Sequence, residues 1–190
     1  MEGATSAVGP RIGLGRVIFA NSLRARDEIA RFCLRQLPFP RNILSIRLLE
    51  PAAGHGAFIL PLIARLVTAA RSRRLSYDTL LPVVRAYEID PVVASSLRQK
   101  CAEELQRNGL AKPKARRIAK CWIRNDDFLE ARIRARFTHV VGNPPYIRWD
   151  AVPSPLRVIY RERFSSFKER ADLYVAFIEK SVRLLKPKVF

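Results

Sequence analysis

Only three cysteines, two histidines and one methionine occur in the 190-residue chain. Cys33, Cys101 and Cys121 are odd in number and far apart, which argues against a disulfide framework or a zinc site and for reduced thiols. His55 and His139 form no ligand cluster with them. No apolar run approaches the ~18 residues of a membrane helix. Met1 to Arg16 lacks the apolar stretch of a signal peptide and reads as a loose basic arm. With 48% hydrophobic residues, the expectation is a soluble, cytoplasmic protein with a real core, and the length suggests one domain. Internal repeats and low-complexity tracts are absent.

Acidic residues are also scarce, 17 against 35 Lys and Arg, for a formal net charge of +18. Such an excess suits a polyanionic partner, nucleic acid being the natural candidate. The cations concentrate in two groups, Lys112 to Arg136 and Arg148 to Arg170. The first reads equally well as a solvated face. The second follows the chemistry-bearing segment and is the better candidate for contact with phosphates.

That segment is Asn143-Pro144-Pro145-Tyr146. An amino group on an aromatic ring shares its lone pair with the ring and becomes nucleophilic only when its hydrogens are accepted elsewhere. The Asn143 side-chain oxygen offers one acceptor and the Pro144 carbonyl a second. Pro145 restricts Pro144 to an extended conformation and so aims that carbonyl. Tyr146 supplies a flat face for a base taken out of its stack. The bland alternative is a Pro-Pro turn after a strand.

Phe137 to Gly142 is apolar, β-branched and ends in glycine, so the tetrapeptide sits at a strand's carboxyl end, where open α/β sheets bind ligands. Leu48-Leu49-Glu50-Pro51-Ala52-Ala53-Gly54-His55-Gly56-Ala57-Phe58 reads as a strand entering a glycine turn and then a helix to about Ala70. A dinucleotide fingerprint would require a third glycine where Ile59 stands. Glu88 ends a further strand and is suited to ribose hydroxyls. Asp90, followed by Pro91, reads better as the cap of a helix Val92 to Arg107. Asp127 and Phe128 end a third strand, offering a carboxylate and a ring to an adenine. Strands near 46–50, 83–88, 119–124 and 137–142, alternating with helices, predict a parallel α/β sheet covered on both faces.

These motifs together resemble the amino-group DNA methyltransferases of restriction-modification systems, the Eco57I-like and TaqI-like adenine-N6 enzymes, over about residues 46–187. The resemblance implies a class I, Rossmann-like methyltransferase fold with strand order 3-2-1-4 and S-adenosyl-L-methionine as methyl donor. It implies donor contacts from Glu50, Pro51, Ala53, Gly54, Gly56 and Phe58 on the methionine half, Glu88 on the ribose, and Asp127 and Phe128 on the adenine. Asn143, Pro144, Pro145 and Tyr146 would act on a flipped DNA adenine. Ala171 to Lys180 and Leu184-Leu185-Lys186-Pro187 match the helix after the catalytic loop.

Two departures accompany it. The usual opening Thr-Pro segment has no counterpart in Phe19-Ala20-Asn21-Ser22 or the helix Ala25 to Leu37. The strands and target-recognition domain that would follow Lys188-Val189-Phe190 are missing, leaving residues 46–190 as an incomplete catalytic domain behind an arm and helix at 1–45. The expectations are therefore an exposed apolar edge on the fourth strand, no methylation by this chain alone, and target recognition from a further region or a partner chain. Same-fold RNA or protein-glutamine methyltransferases, and a non-catalytic DNA-binding remnant, are the alternatives.

Overall fold

The computed structural model describes residues 16–19, 26–36 and 41–187. In chain order the main elements are β1 (Arg16–Phe19), α1 (Arg26–Gln36), β2 (Leu48–Glu50), α2 (Leu60–Ser72), β3 (Val84–Glu88), α3 (Pro91–Arg107), α4 (Lys112–Trp122), β4 (Ile123–Asn125), β5 (His139–Gly142), α5 (Ser154–Arg163) and α6 (Tyr174–Arg183). All five strands are parallel, in the order β1-β5-β2-β3-β4. Leaving β1 aside, this is the expected 3-2-1-4 order.

Successive strand residues point to opposite faces, and the core divides accordingly. Leu48, Ala86 and Val141 join α1 to α4 in one apolar cluster. Leu49, Tyr87 and Val140 join α5, α6 and the residues around Phe128 in the other. Helices thus cover both faces, and the carboxyl ends of all the strands share one rim.

Two expectations are corrected. Residues 119–122 are not strand: α4 runs to Trp122, and only Ile123–Asn125 pairs with β3. Ala115, Ile118, Ala119 and Trp122 recur at helical spacing and are buried, while the Trp122 indole N–H donates to the Leu80 carbonyl at 2.8 Å. An aromatic that needs both burial and an acceptor is better served on this helix face than on a short strand. The second correction concerns β5, whose edge is not open. Arg16–Phe19 pairs with His139–Gly142 along its length, so Arg16, expected in a loose arm, begins a strand that covers the edge of β5. Ala20, Asn21 and Ser22 lie outside the described residues, as do Lys188, Val189 and Phe190.

Asp90 caps α3 as expected: its Oδ1 accepts from the backbone N–H groups of Val92 and Val93 at 2.7 and 3.0 Å, with Pro91 in the first turn of α3. Among the described residues no helix is long and apolar enough to cross a membrane.

Candidate active site

The turn after β2 is shaped by backbone bonds. The Ala53 N–H donates to the Tyr87 carbonyl of β3 at 2.8 Å, and the Gly56 N–H to the Ala53 carbonyl at 2.9 Å. Gly54 and Gly56 have φ of +52° and +88°. At Gly56 glycine is required twice over, because a Cβ there would also collide with Leu97 Cδ1. The turn therefore lies flat against α3 and leaves the rim above β2 open.

Glu88, at the end of β3, ties this turn to the next. Its Oε2 accepts from the Gly54 N–H at 2.8 Å and its Oε1 from the Asp90 N–H at 2.9 Å. A carboxylate has roughly four acceptor positions, so it retains capacity for ligand hydroxyls. Beneath the turn, Glu50 is 1% exposed. Its Oε2 has no hydrogen-bond partner among the described residues. Burial pushes its carboxyl well above the usual range, and the nearby Glu88 adds to this.

Beyond β4, Asp127 Oδ1 accepts from the Leu129 N–H at 2.7 Å, while Oδ2 accepts from the Tyr160 hydroxyl of α5 at 2.8 Å. Phe128 is almost wholly enclosed. Its ring stacks on Phe177 at 5.5 Å, meets Tyr87 at 5.5 Å in a tilted contact, and lies under the Lys180 ammonium at 5.1 Å. Lys180 donates to the Leu129 and Ala131 carbonyls at 3.1 and 2.7 Å, and burial lowers it to about 8.

The loop leaving β5 carries Asn143 to Tyr146. Gly142 approaches Pro51 so closely that a Cβ would stand 3.2 Å from its Cδ, which draws the loop towards the turn after β2. The next residue, Ile147, accepts through its carbonyl from the Leu173 N–H at 2.9 Å, pinning the loop before α6. Pro144 is buried and Tyr146 is 38% exposed, its ring tilted against Tyr174 at 5.8 Å.

One cavity of about 810 Å³ is lined by all of these segments. Every site residue expected from the sequence borders it: Glu50, Pro51, Ala53, Gly54, Gly56, Phe58, Glu88, Asp127, Phe128, Asn143, Pro144, Pro145 and Tyr146. Phe128 borders it while also packing against Tyr87, Phe177 and Lys180. Arg31, Tyr87, Lys100, Tyr160 and Phe177 also line the cavity and were not expected there from the sequence. Tyr160 lies in a stretch dominated by arginine, and the apolar spacing of Leu156, Ile159 and Tyr160 is the one local signal of its burial.

The donor set can be tested against a methyl donor on these observations. A buried carboxylate with an oxygen left over is costly unless a cation or hydrogen-bond donor meets it. Glu50 thus fits a ligand with a positively charged end, Glu88 one with hydroxyls, and Asp127 one with an amino group.

An open parallel α/β sheet with a cavity over its carboxyl rim, acidic at three successive strand ends, defines a Rossmann-like α/β protein. A family model, the Eco57I restriction-modification methylase, matches residues 44–190, and the chain belongs to that family. It is 40% identical to the type II methyltransferase M.PaeR7I of Pseudomonas aeruginosa over 96% of this chain and 32% of the relative. Against M.XhoI of Xanthomonas vasicola, identity is 38% over 85% of this chain and 31% of the relative. With M.BstVI of Geobacillus stearothermophilus it is 31% over 76% and 27%. The chain thus spans about a third of the length of these relatives. The solved structure of SMU.472 complexed with SAH is similar at a TM-score of 0.39 and 14% identity, over 70% of this chain and 38% of that one, which adds nothing to the assignment.

Proposed function

We propose that this chain carries the methyl-donor pocket and the target-amine clamp of an S-adenosylmethionine-dependent DNA adenine-N6 methyltransferase of a restriction-modification system. The supporting observation is that Asn143 to Tyr146 borders the same cavity as Glu50, Glu88 and Asp127. The names of M.PaeR7I and M.XhoI as type II methyltransferases agree with this reading.

When bound, the donor supplies a methyl group on a positively charged sulfur. Glu50 would meet the charge of its methionine half, Glu88 the ribose hydroxyls, and Asp127 and Phe128 the adenine. On the target side, the Asn143 side-chain oxygen and the Pro144 carbonyl accept the two amino hydrogens and draw the nitrogen lone pair out of conjugation. That nitrogen would thereby be held as a nucleophile for the methyl group the donor supplies, and its surplus proton would pass to water. Tyr146 stacks on the flipped base. Neither a covalent enzyme intermediate nor a strong general base is required, since the amine becomes cationic and loses its proton easily.

The test has two arms. Calorimetry on the purified chain measures donor affinity. Transfer is measured in a chimera in which residues 44–187 replace the matching segment of M.PaeR7I, with methylated nucleosides identified by mass spectrometry. The expected product is N6-methyladenine. Asn143→Ala abolishes it while donor affinity changes less than about twofold, because the side chain grips the amino group chiefly in the transition state. A different methylated base, or undiminished transfer by Asn143→Ala, contradicts the proposal.

A further inference from the structure

We propose that Tyr160 is a positioning residue that sets the cavity's preference for an amino group on the donor's purine, by fixing the orientation of the Asp127 carboxylate. The inference rests on the reading of Asp127 as the adenine acceptor and assigns its control to α5, an element on the target side of the cavity.

The Asp127 carboxylate is fastened at both oxygens, to the Leu129 N–H through Oδ1 and to the Tyr160 hydroxyl through Oδ2. A phenol that donates to this oxygen keeps it an acceptor, and a carboxylate held by two bonds cannot rotate its plane. Of its roughly four acceptor positions, those left point in set directions. A purine amino group can meet them. A purine carbonyl at the same position would place oxygen against oxygen.

Tyr160 is itself held. It is 3% exposed, and its ring lies 6.4 Å from Phe164 and 6.0 Å edge-on from Phe167. Phe167 in turn packs on Trp149 at 5.0 Å, three residues beyond Tyr146. The same hydroxyl therefore joins the end of β4 to the segment that follows the catalytic tetrapeptide. Leu129 alone would leave Asp127 one tether, and the side chain could turn about it.

The measurement is a ratio of affinities, taken by calorimetry on the whole chain, for S-adenosylhomocysteine and for S-inosylhomocysteine, which carries a carbonyl in place of the amino group. In the wild type the amino compound binds at least tenfold tighter. Tyr160→Phe keeps the ring and its packing and lowers the ratio to below about threefold, with unchanged affinity for methionine-side analogues that lack the purine. A merely structural role would weaken all ligands together and leave the ratio intact. Asp127→Ala separates the two readings. If it collapses the ratio and Tyr160→Phe does not, the Tyr160 proposal is overturned and the Asp127 assignment stands. If neither changes the ratio, the Asp127 assignment itself fails. Should Tyr160→Phe not fold, 4-fluorophenylalanine at position 160, which fills the space of the hydroxyl without donating, lowers the ratio to below about threefold, and an unchanged ratio overturns the proposal.

Discussion

Glu50 is the residue whose chemistry most clearly anticipates a ligand. Folding holds its carboxyl well above the range of an exposed glutamate, through burial first and Glu88 second. For an acid raised by folding, the neutral form is the one the fold favours. Its contribution to stability is fully present below the unfolded value of about 4.3 and is lost as pH rises through the folded one. A cationic donor reverses the preference by stabilising the ionised form. Donor affinity should therefore strengthen as pH rises through the raised value, with proton release visible as a dependence of calorimetric heat on the buffer's ionisation enthalpy. Glu50→Gln should raise thermal stability at neutral pH and weaken donor binding at least tenfold. A variant that gained stability yet bound the donor like wild type would remove Glu50 from the methionine end. The nearby thiol of Cys101 is held neutral as well: burial, with Glu50 and Glu104 adding, pushes it up to about 12.

The segments that follow Tyr146 are braced by Glu179 of α6. Burial alone would raise this carboxyl, but hydrogen bonds from the hydroxyls and backbone N–H groups of Ser166 and Ser165 bring it down to about 2. Arg183 completes the bracket. Here the sign is opposite to that of Glu50: the stabilisation is present above the unfolded value of about 4.3 and is lost as pH falls towards 2. Glu179→Gln should cost about 1.5 kcal/mol in urea unfolding at neutral pH, the order of one charged hydrogen bond, and about half as much at pH 3, part-way through the window in which the stabilisation is lost. Equal losses at both pH values would refute the brace. Whether such elements are legible in the sequence depends on what holds them. The strands before Glu50, Glu88 and Asn143 are legible because each is a short apolar run ended by a motif. Asp90 with Pro91 announces α3. The strand β1 is not legible: Arg16-Val17-Ile18-Phe19 is only four residues long, and its place is set by the vacant edge of β5, a tertiary demand with no local signature. The same holds for the fastening of Asp127, whose partner lies 33 residues away, and for Phe128, whose ring is claimed by the distant Phe177 and Lys180.

Across the molecule the excess of positive charge is unevenly engaged. Lys114 and Arg117 on α4 pair with Asp78 at 3.6 and 3.3 Å, which fits the reading of this first group as a solvated face. Past Tyr146, Arg157 and Arg161 stand over Trp149 at 5.4 and 4.0 Å, while Lys168 and Arg170 are exposed and Arg148, also exposed, pairs with the exposed Asp150 at 3.7 Å. Binding to mixed-sequence DNA should weaken steeply with salt. Replacing Arg148, Lys168 and Arg170 with alanine should flatten the slope of log K against log salt by about 0.9 for each phosphate no longer neutralised. The same change at Lys112, Arg116 and Lys120 should leave the slope nearly as it was; an equal effect from both triples would mean that the charge acts without regard to the cavity.

The rim over β2, β3 and β4 is expected to hold S-adenosylmethionine. Calorimetric titration of the purified chain tests it most directly, with wild type, Glu88→Ala and Asn143→Ala measured side by side. One saturable site per chain is expected, weakened at least tenfold in Glu88→Ala, where a charged acceptor worth about 1.5–3 kcal/mol and the clamp on Gly54 are both removed, and changed less than about twofold in Asn143→Ala. No saturable binding, or wild-type affinity in Glu88→Ala, would contradict it.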